Sequence, residues 1–206
     1  MLPRDLGDRI GERKIMNHKI ILASASPRRI EILKNNGITA EIIPADVDEN
    51  IPEGTPPHLA CMYNALKKAL AVESQQTEGI IIAADTIVYN GTMLGKPADE
   101  EDAFKMLSDL RNKSHSVMTG VALADAATHR RHVFFEETKV VFGDYSDDEI
   151  RQYIASGEPM DKAGAYAIQG GWGRQVTSVD GDFSNVIGLP WDRLKAELER
   201  FGEQIK

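Results

Sequence analysis

Apolar runs and helical patterns alternate along the chain. Residues 19–23 and 80–84 are apolar at almost every position, which is typical of strands buried on both faces, and the second run predicts a central strand. Residues 41–44 predict a short strand, and residues 116–124 and 132–142 predict two long strands joined by a polar turn. Asn90-Gly91 between two apolar segments predicts a tight hairpin.

Helical patterns fill the intervals between these strands, over residues 27–35, 59–72, 100–110, 146–154 and 190–201. Ser146 and Glu149 have the spacing of a capping box, which predicts a helix start there. The apolar positions of residues 59–72 recur at helical spacing and define a predicted apolar face: Leu59, Met62, Leu66, Ala69 and Leu70. Hairpins and crossovers together predict the α/β class with a mixed sheet and flanking helices.

Composition narrows the function classes. The chain has 206 residues and a net charge of −8, which argues against a general nucleic-acid binder because such proteins need a basic surface. A phosphorylated small molecule would need local Arg or Lys and a divalent cation against this overall charge. Residues 1–16 are charged and contain neither an apolar leader nor a membrane span. We expect a flexible extension there, a single domain over residues 17–206, and a cytoplasmic location.

Cysteine and histidine offer little chemistry in this sequence. Cys61 is the single cysteine, so an internal disulfide is excluded, and its apolar surroundings predict a buried side chain. His129 and His132 have a spacing compatible with a metal site, but two arginines lie between them in a predicted turn. We therefore expect both histidines to be solvated.

Residues 24–29, Ser-Ala-Ser-Pro-Arg-Arg, lie at a predicted junction between a strand and a helix. Ser26 is placed as the N-cap and Pro27 as the first helical residue. Free amides at the start of a helix form an anion site, and Arg28 and Arg29 add planar donors suited to phosphate oxygens. The alternative is a capped helix with two solvated arginines.

Asp85-Thr86 follows the predicted central strand. A carboxylate at this position is costly to bury unless it is paired, bound to a metal, or at the rim of a cleft. Ligands of open α/β sheets usually bind at the carboxyl ends of such strands. The alternative is an aspartate that only caps the following turn.

Other charged residues are ambiguous by themselves. Divalent cations prefer carboxylate oxygens, and three acidic residues are close together in one predicted loop: Asp46, Asp48 and Glu49. Three lysines are candidates for binding phosphate or are solvated: Lys67, Lys68 and Lys96.

Residues 161–171 combine small residues and glycines, which let a backbone approach a ligand closely, and Gln169 offers groups suited to a base edge. Residues 181–190 predict either a similar functional segment or only a strand and a turn leading into the last helix, and spacing alone does not decide between them.

Five segments in collinear order resemble the Maf family of nucleotide pyrophosphatases, also called septum formation proteins. They are residues 24–29, 84–88, 95–97, 161–170 and 185–190, and the resemblance extends over about residues 19–201. It implies hydrolysis of a nucleoside triphosphate to the monophosphate and pyrophosphate with Mg²⁺ or Mn²⁺. It also implies an elongated α/β fold with two lobes around a cleft, similar to that of inosine triphosphate pyrophosphatases.

The resemblance also implies individual roles. Asp85 falls on the catalytic position, taken as the general base, and Glu49 with Asp85 on the metal site. The phosphate-binding positions fall on Ser24, Arg28, Arg29, Lys68 and Lys96. Three residues match the branch that hydrolyses dTTP and UTP: Arg28, Thr86 and Gln169. The alternatives are a pyrophosphatase with another base preference and a non-enzymatic nucleotide-binding regulator of septum formation. Family members are often dimers, but the apolar pattern does not specify a homodimer.

Overall fold

The fold is a computed structural model that describes residues 18–203; the N-terminal extension predicted for residues 1–16 lies outside this range. Within the described residues a seven-stranded sheet has the order β2-β1-β3-β5-β6-β7, with β4 paired to β3. The strands are β1 (Ile20–Leu22), β2 (Glu41–Ile42), β3 (Ile80–Tyr89), β4 (Met93–Leu94), β5 (Ser114–Asp125), β6 (Arg131–Phe142) and β7 (Val176–Asp180). Strand β1 is parallel to β2 and β3, and the other pairs are antiparallel, so the predicted mixed sheet is confirmed.

Helices cover the sheet close to where their patterns predict them. They are α1 (Pro27–Asn35), α2 (Pro57–Glu73), α3 (Glu100–Leu110), α4 (Asp147–Ala155), α5 (Phe183–Ile187) and α6 (Trp191–Glu203). The capping box at the start of α4 is present, with Ser146 and Glu149 exchanging hydrogen bonds. Helix α5 corrects the interpretation of residues 181–190 as a strand and turn: Asp182 accepts from the Ser184 amide and caps a short helix.

The core is divided between two lobes that share the long strands. In the first lobe, α1 and α6 pack on one face of the sheet and α2 on the other, with mainly aliphatic residues between the layers. In the second lobe, α3 and α4 pack around the far ends of β3, β5 and β6, and the core is rich in aromatic residues: Phe142, Tyr145, Tyr153, Tyr166 and Trp172. The predicted arrangement of two lobes on one α/β sheet is therefore confirmed.

Helix α2 buries a different face from the one that its large apolar residues predict. Leu59 is 47% exposed, and the buried positions are mostly small or polar: Ala60, Cys61, Asn64, Ala65, Lys68, Ala69, Val72 and Glu73. The reason is Gly120 on β5, where an added Cβ would lie 2.4 Å from the carbonyl carbon of Cys61. The helix backbone touches the sheet here, so only small side chains fit between them.

The two histidines with metal-like spacing do not converge. His129 Nδ1 lies 2.8 Å from Glu73 Oε1, whereas His132, on β6 and outside the predicted turn, lies 3.1 Å from Glu197 Oε2. The His129 side chain is 69% exposed and that of His132 40% exposed, as predicted for solvated residues, although each contacts a buried carboxylate. None of the helices within residues 18–203 combines the length and the apolar character needed to span a bilayer.

Candidate active site

Asp85 and Thr86 of strand β3 lie on opposite faces of the sheet, because successive side chains of a strand alternate. Ile81 and Ala83 pack on the α2 side, so Asp85 continues that face. Ile82 and Ala84 pack against α1 and α6, so Thr86 continues the other. The two residues of one sequence motif therefore have separate surroundings.

On the α2 face, Asp85 is held by two side chains that lie one helical turn apart. Lys68 Nζ donates to Asp85 Oδ1 over 2.7 Å, and Asn64 Nδ2 donates to Asp85 Oδ2 over 3.3 Å. Asp85 is only 8% exposed, and Asn64 and Lys68 are buried as well. Lys68 also lies 3.1 Å from Glu49 Oε1, so one ammonium joins two carboxylates.

The acidic loop reaches this cluster through one of its three acidic residues. Asn64 Nδ2 donates to the main-chain oxygen of Glu49 over 3.2 Å, which holds the loop against α2. Lys67 Nζ donates to the main-chain oxygens of Asp48 and Asn50 and supports the same loop. Asp46 and Asp48 are exposed, and neither forms an ion pair within the part of the chain that the structure describes.

The oxygen atoms around Asp85 are suited to ligate a divalent cation that arrives with a phosphate group. Asp85 and Glu49 converge on the same ammonium, so their oxygens lie close together. The Oδ1 atom of Asn64 is buried beside them without a hydrogen-bond partner. No group of three His, Cys, Asp or Glu side chains forms a metal cage within residues 18–203. Mg²⁺ in this setting takes one or two carboxylates and completes its shell with phosphate and water oxygens.

On the opposite face, Arg29 makes three hydrogen bonds to the protein. Its Nε donates to the main-chain oxygen of Gly188 over 2.8 Å, and its two terminal nitrogens donate to Ser24 Oγ and Thr86 Oγ1 over 3.2 Å each. Burial lowers the pKa of Arg29 from its ordinary value, and the nearby charge of Asp85 opposes that shift. Arg29 thus joins the first strand-to-helix junction to β3 and to the segment after α5.

The start of α1 agrees with the sequence in position but not in detail. Ser26 is the N-cap residue and Pro27 is the first helical residue, as predicted. The Ser26 side chain, however, makes no capping hydrogen bond. Ser24 Oγ instead accepts from the Ser26 amide over 3.2 Å and from Arg29. The hydroxyl of Ser24 is therefore held at the junction, and no side chain caps the backbone N–H groups in the first turn of α1.

A cleft of about 850 Å³ lies between the lobes and brings the remaining predicted residues together. Its lining includes residues 23–29 and 85–88 on one side and residues 93–96, 161–163 and 166–169 on the other. Arg28, Lys96 and Gln169 line it, and none of the three makes a hydrogen bond or ion pair within residues 18–203. Two cationic side chains are therefore available to an anion in this cleft.

Comparison with known proteins agrees with this architecture. The family profile described as Maf-like protein matches residues 19–201. The chain belongs to the Maf-like protein family. A dTTP/UTP pyrophosphatase of Pelotomaculum thermopropionicum is 45% identical over 91% of this chain and 98% of that protein. A dTTP/UTP pyrophosphatase of Caldicellulosiruptor saccharolyticus is 48% identical over 91% of this chain and 96% of that protein. The Ham1 protein of Staphylococcus aureus shares the fold, with a TM-score of 0.50 and 17% identity over 89% of this chain and 99% of that one.

The glycines of this Maf-like chain in residues 161–171 serve contacts within the protein. Gly164 has φ +68°, and its amide donates to the main-chain oxygen of Gly95 over 3.0 Å, while an added Cβ would lie 2.9 Å from Val88. A Cβ at Gly170 would overlap the carboxylate of Glu158. At Gly164 and Gly170 the absence of a side chain is therefore required by contacts within the protein, since the segment packs closely on β3 and on the turn at Glu158.

Buried aromatic side chains support the second wall of the cleft. Tyr166 donates or accepts a hydrogen bond of 2.8 Å with Nε2 of His115. Burial lowers the pKa of His115 to about 4, so the imidazole is neutral at pH 7. Trp172 is fully buried and stacks on Tyr153 with ring centroids 4.7 Å apart. These rings form the rigid base of the segment that carries Gln169.

Sequence reasoning missed Asn64 and Thr119, and it gave no role to Asn185 although that residue begins one of the five segments that resemble the family. Asn64 precedes Lys68 by four residues, so helical spacing places both on one face, and that spacing was the available signal. Thr119 pairs directly with Thr86 across β3 and β5, and Asn185 lies 66 residues further along. The partners of these two residues depend on the register between strands, for which the sequence carries no local signal.

Proposed function

We propose that this chain hydrolyses UTP and dTTP to the monophosphate and pyrophosphate in the cleft between the lobes. The relatives named dTTP/UTP pyrophosphatase, matched over nearly their whole length, support this activity. The observation that carries the proposal is the buried Asp85 joined to Lys68 and, through it, to Glu49 beside a cleft lined by Arg28 and Lys96.

Asp85 is the group suited to activate water. A carboxylate within reach of a water molecule accepts its proton while the water oxygen attacks the α-phosphorus. The bond from that phosphorus to the bridging oxygen breaks, and pyrophosphate leaves with the electron pair. Asn64 and Lys68 hold both carboxylate oxygens, so the direction of the remaining lone pairs is set before the substrate binds.

Cationic side chains stabilise the charge on the departing pyrophosphate. The chain carries a net charge of −8, so attraction of a triphosphate depends on the local groups of the cleft. The side chains of Arg28 and Lys96 line it without a hydrogen bond or ion pair to the described residues, and Lys68 lies beside Asp85. Asp161 lines the same cleft near Arg28, and the hydrogen bond from Lys162 and then the charge of Arg28 lower the pKa of its carboxyl. The hydroxyl of Ser24 accepts two hydrogen bonds, so its proton remains available to a phosphate oxygen. Fixed donors of this kind usually contribute the largest share of catalysis.

Asp85 and Glu49 would hold a divalent cation, Mg²⁺ or Mn²⁺. When bound, the cation neutralises charge on the triphosphate and orients its oxygens. Arg29 takes a different part from the other cations, since three of its five N–H donors are engaged by the protein and only two remain for a phosphate. Arg28, Thr86 and Gln169 line the same cleft, which supports their assignment to base selection.

A product assay tests this function. UTP, dTTP, CTP, ATP and GTP are each incubated with the protein and Mg²⁺ or Mn²⁺, and pyrophosphate is measured separately from inorganic phosphate. We expect pyrophosphate and monophosphate from UTP and dTTP at rates above those for the other three. Release of inorganic phosphate with a nucleoside diphosphate would contradict the proposed bond cleavage. Poor turnover of both UTP and dTTP would contradict the base preference.

Three further predictions from the sequence accompany this proposal: a cytoplasmic location, a single domain over residues 17–206, and a homodimer. Cell fractionation, the number of unfolding transitions and light scattering measure these properties in turn.

A further inference from the structure

A chain of hydrogen bonds runs from Arg29 into the sheet. Arg29 Nη2 lies 3.2 Å from Thr86 Oγ1, which lies 2.9 Å from Thr119 Oγ1. Thr119 Oγ1 in turn lies 3.0 Å from the main-chain oxygen of Asn185. Thr119 and Asn185 are fully buried, whereas Thr86 lies at the cleft. The comparisons assign no role to Thr119.

The number of available hydroxyl protons fixes which group donates at each step of this hydrogen-bond chain. A guanidinium only donates and a carbonyl only accepts, so the two ends are set. Each threonine hydroxyl has one proton. The Thr119 hydroxyl must donate its proton to the Asn185 carbonyl, because otherwise two acceptors would face each other at 3.0 Å. The contact between the hydroxyls is then satisfied only if Thr86 donates to Thr119. The proton of Thr86 therefore points into the sheet.

The acceptor at the end of this chain is held rigidly. The side-chain amide of Asn185 donates to the main-chain oxygen of Val117 and to Thr138 Oγ1, over 3.0 Å each. Thr138 donates to the main-chain oxygen of Asp182 over 2.9 Å. Helix α5 is thereby fixed to both β5 and β6, and the bond to Val117 ties Asn185 to the strand that also carries Thr119.

We propose that Thr119 is a positioning residue that makes Thr86 a hydrogen-bond acceptor toward the cleft and so contributes to base selection. This inference rests on the proposed function and deepens it. With its proton committed to Thr119 and one lone pair accepting from Arg29, Thr86 offers its remaining lone pair to a bound nucleotide. Uracil and thymine carry a ring N–H that such an acceptor can meet. Cytosine carries a ring lone pair at the same position, which the acceptor disfavours.

The test compares Thr119→Val with Thr138→Val, since each substitution removes one buried threonine hydroxyl. Thr119→Val breaks the chain to Thr86, and Thr119→Ser retains the hydroxyl. Thr138→Val is the matched control, since it removes an equally buried hydroxyl that contacts Asn185 but not Thr86. Binding of non-hydrolysable UTP and CTP analogues is measured by calorimetry, so the result does not require turnover, and thermal unfolding reports the stability of each variant.

We expect Thr119→Val to reduce the preference for the UTP analogue over the CTP analogue by about tenfold, the equilibrium effect of one hydrogen bond. Thr119→Ser should restore the preference, and Thr138→Val should keep it despite a similar loss of thermal stability. Thr86→Val removes the other end of the contact and should reproduce the loss, which gives a second reading if Thr119→Val does not fold.

Three results would overturn the inference: no uridine preference in the unmodified protein, an unchanged preference in folded Thr119→Val or Thr86→Val, or an equal loss in Thr138→Val. A protein that prefers the UTP analogue but releases no pyrophosphate from UTP contradicts only the proposed function. The two failures are therefore distinguishable.

Discussion

On one face of β3 the polar residues are ionic, and on the other they are mostly neutral. Asp85, Lys68 and Glu49 form a charged cluster on the α2 face, with both carboxylates on one ammonium. On the opposite face a single cation, Arg29, ends a chain of hydroxyl groups that leads into the sheet. A charged cluster can exchange partners with an incoming phosphate or cation, whereas a buried hydroxyl chain keeps one geometry. In the proposed function, bond cleavage and substrate selection are therefore divided between two adjacent residues, Asp85 and Thr86.

The largest expected effect is on the ionic face. Asp85→Asn should lower kcat by about 10³-fold, because an amide does not take the proton of the attacking water. Stability should change little, and steady-state kinetics with circular dichroism measures both. Asp125→Asn is the control, since Asp125 is equally buried on the same sheet and accepts hydrogen bonds from the Ala127 amide and Thr128. An unchanged kcat in folded Asp85→Asn would remove the assigned role.

The next effect concerns the contact that positions the ionic face. Gly120→Ala should cost about 3 kcal/mol, because its Cβ would meet the backbone of α2 and force the helix that carries Asn64 and Lys68 outward. Urea unfolding measures the cost, and kcat should fall as well. Gly171→Ala, where the added Cβ meets ordinary contacts beyond 3.5 Å, should change stability by less than about 0.5 kcal/mol. Equal stability of the two variants would show that α2 does not depend on this close approach.

The adjacent residues Arg28 and Arg29 differ in role: Arg29 binds to the protein, whereas Arg28 faces the cleft. Arg29→Lys should lower the free energy of unfolding by about 2 kcal/mol, since a lysine cannot reproduce a fork bound to Gly188, Ser24 and Thr86. Arg28→Lys should leave stability near that of the unmodified protein and raise KM for the triphosphate instead. Chemical denaturation and initial rates report the two quantities. A larger stability loss at Arg28 would reverse the assignment.

The smallest expected effect concerns Asn64. Asn64→Leu should lower kcat about tenfold, because Asp85 loses one of its two partners and the loop of Glu49 loses its tie to α2. The contact with Asp85 is long, at 3.3 Å, so the loss should be well below that of Asp85→Asn. Parallel kinetics of the two variants measures the ratio. A loss as large as that of Asp85→Asn would give Asn64 a direct part in the reaction.

Most elements of the fold could be predicted from the sequence because their signals are local. Residues 80–84 lie in the central strand, Asn90-Gly91 forms the hairpin, and the helix predicted over residues 190–201 is α6. The buried face of α2 was predicted only in part, since Ala69 is buried but Leu59, which is large and apolar, lies outside. A single glycine 61 residues further along the chain decides that face, and hydrophobic periodicity does not register such a contact.

The candidate site was predictable in its membership but only partly in its arrangement. Asp85, Arg28, Lys68 and Lys96 were identified from motifs and resemblance, and the structure brings them to one cleft. Arg29 was grouped with the phosphate-binding residues, although three of its donors face the protein. Its partner Gly188 lies 159 residues away, so its engagement could not be inferred from the adjacent serines.

The sequence by itself determined which chemical groups are present and that Asp85 and Thr86 adjoin a buried strand. It placed them after that strand, whereas the structure places them inside β3, where alternation along the backbone directs them to opposite faces. The tertiary structure alone decided what each of them meets. Lys68 and Glu49 reach Asp85 because Gly120 lets α2 touch the sheet, and Thr119 meets Thr86 because β5 pairs with β3 in one register. Such contacts depend on packing and register between distant segments, which no local pattern specifies.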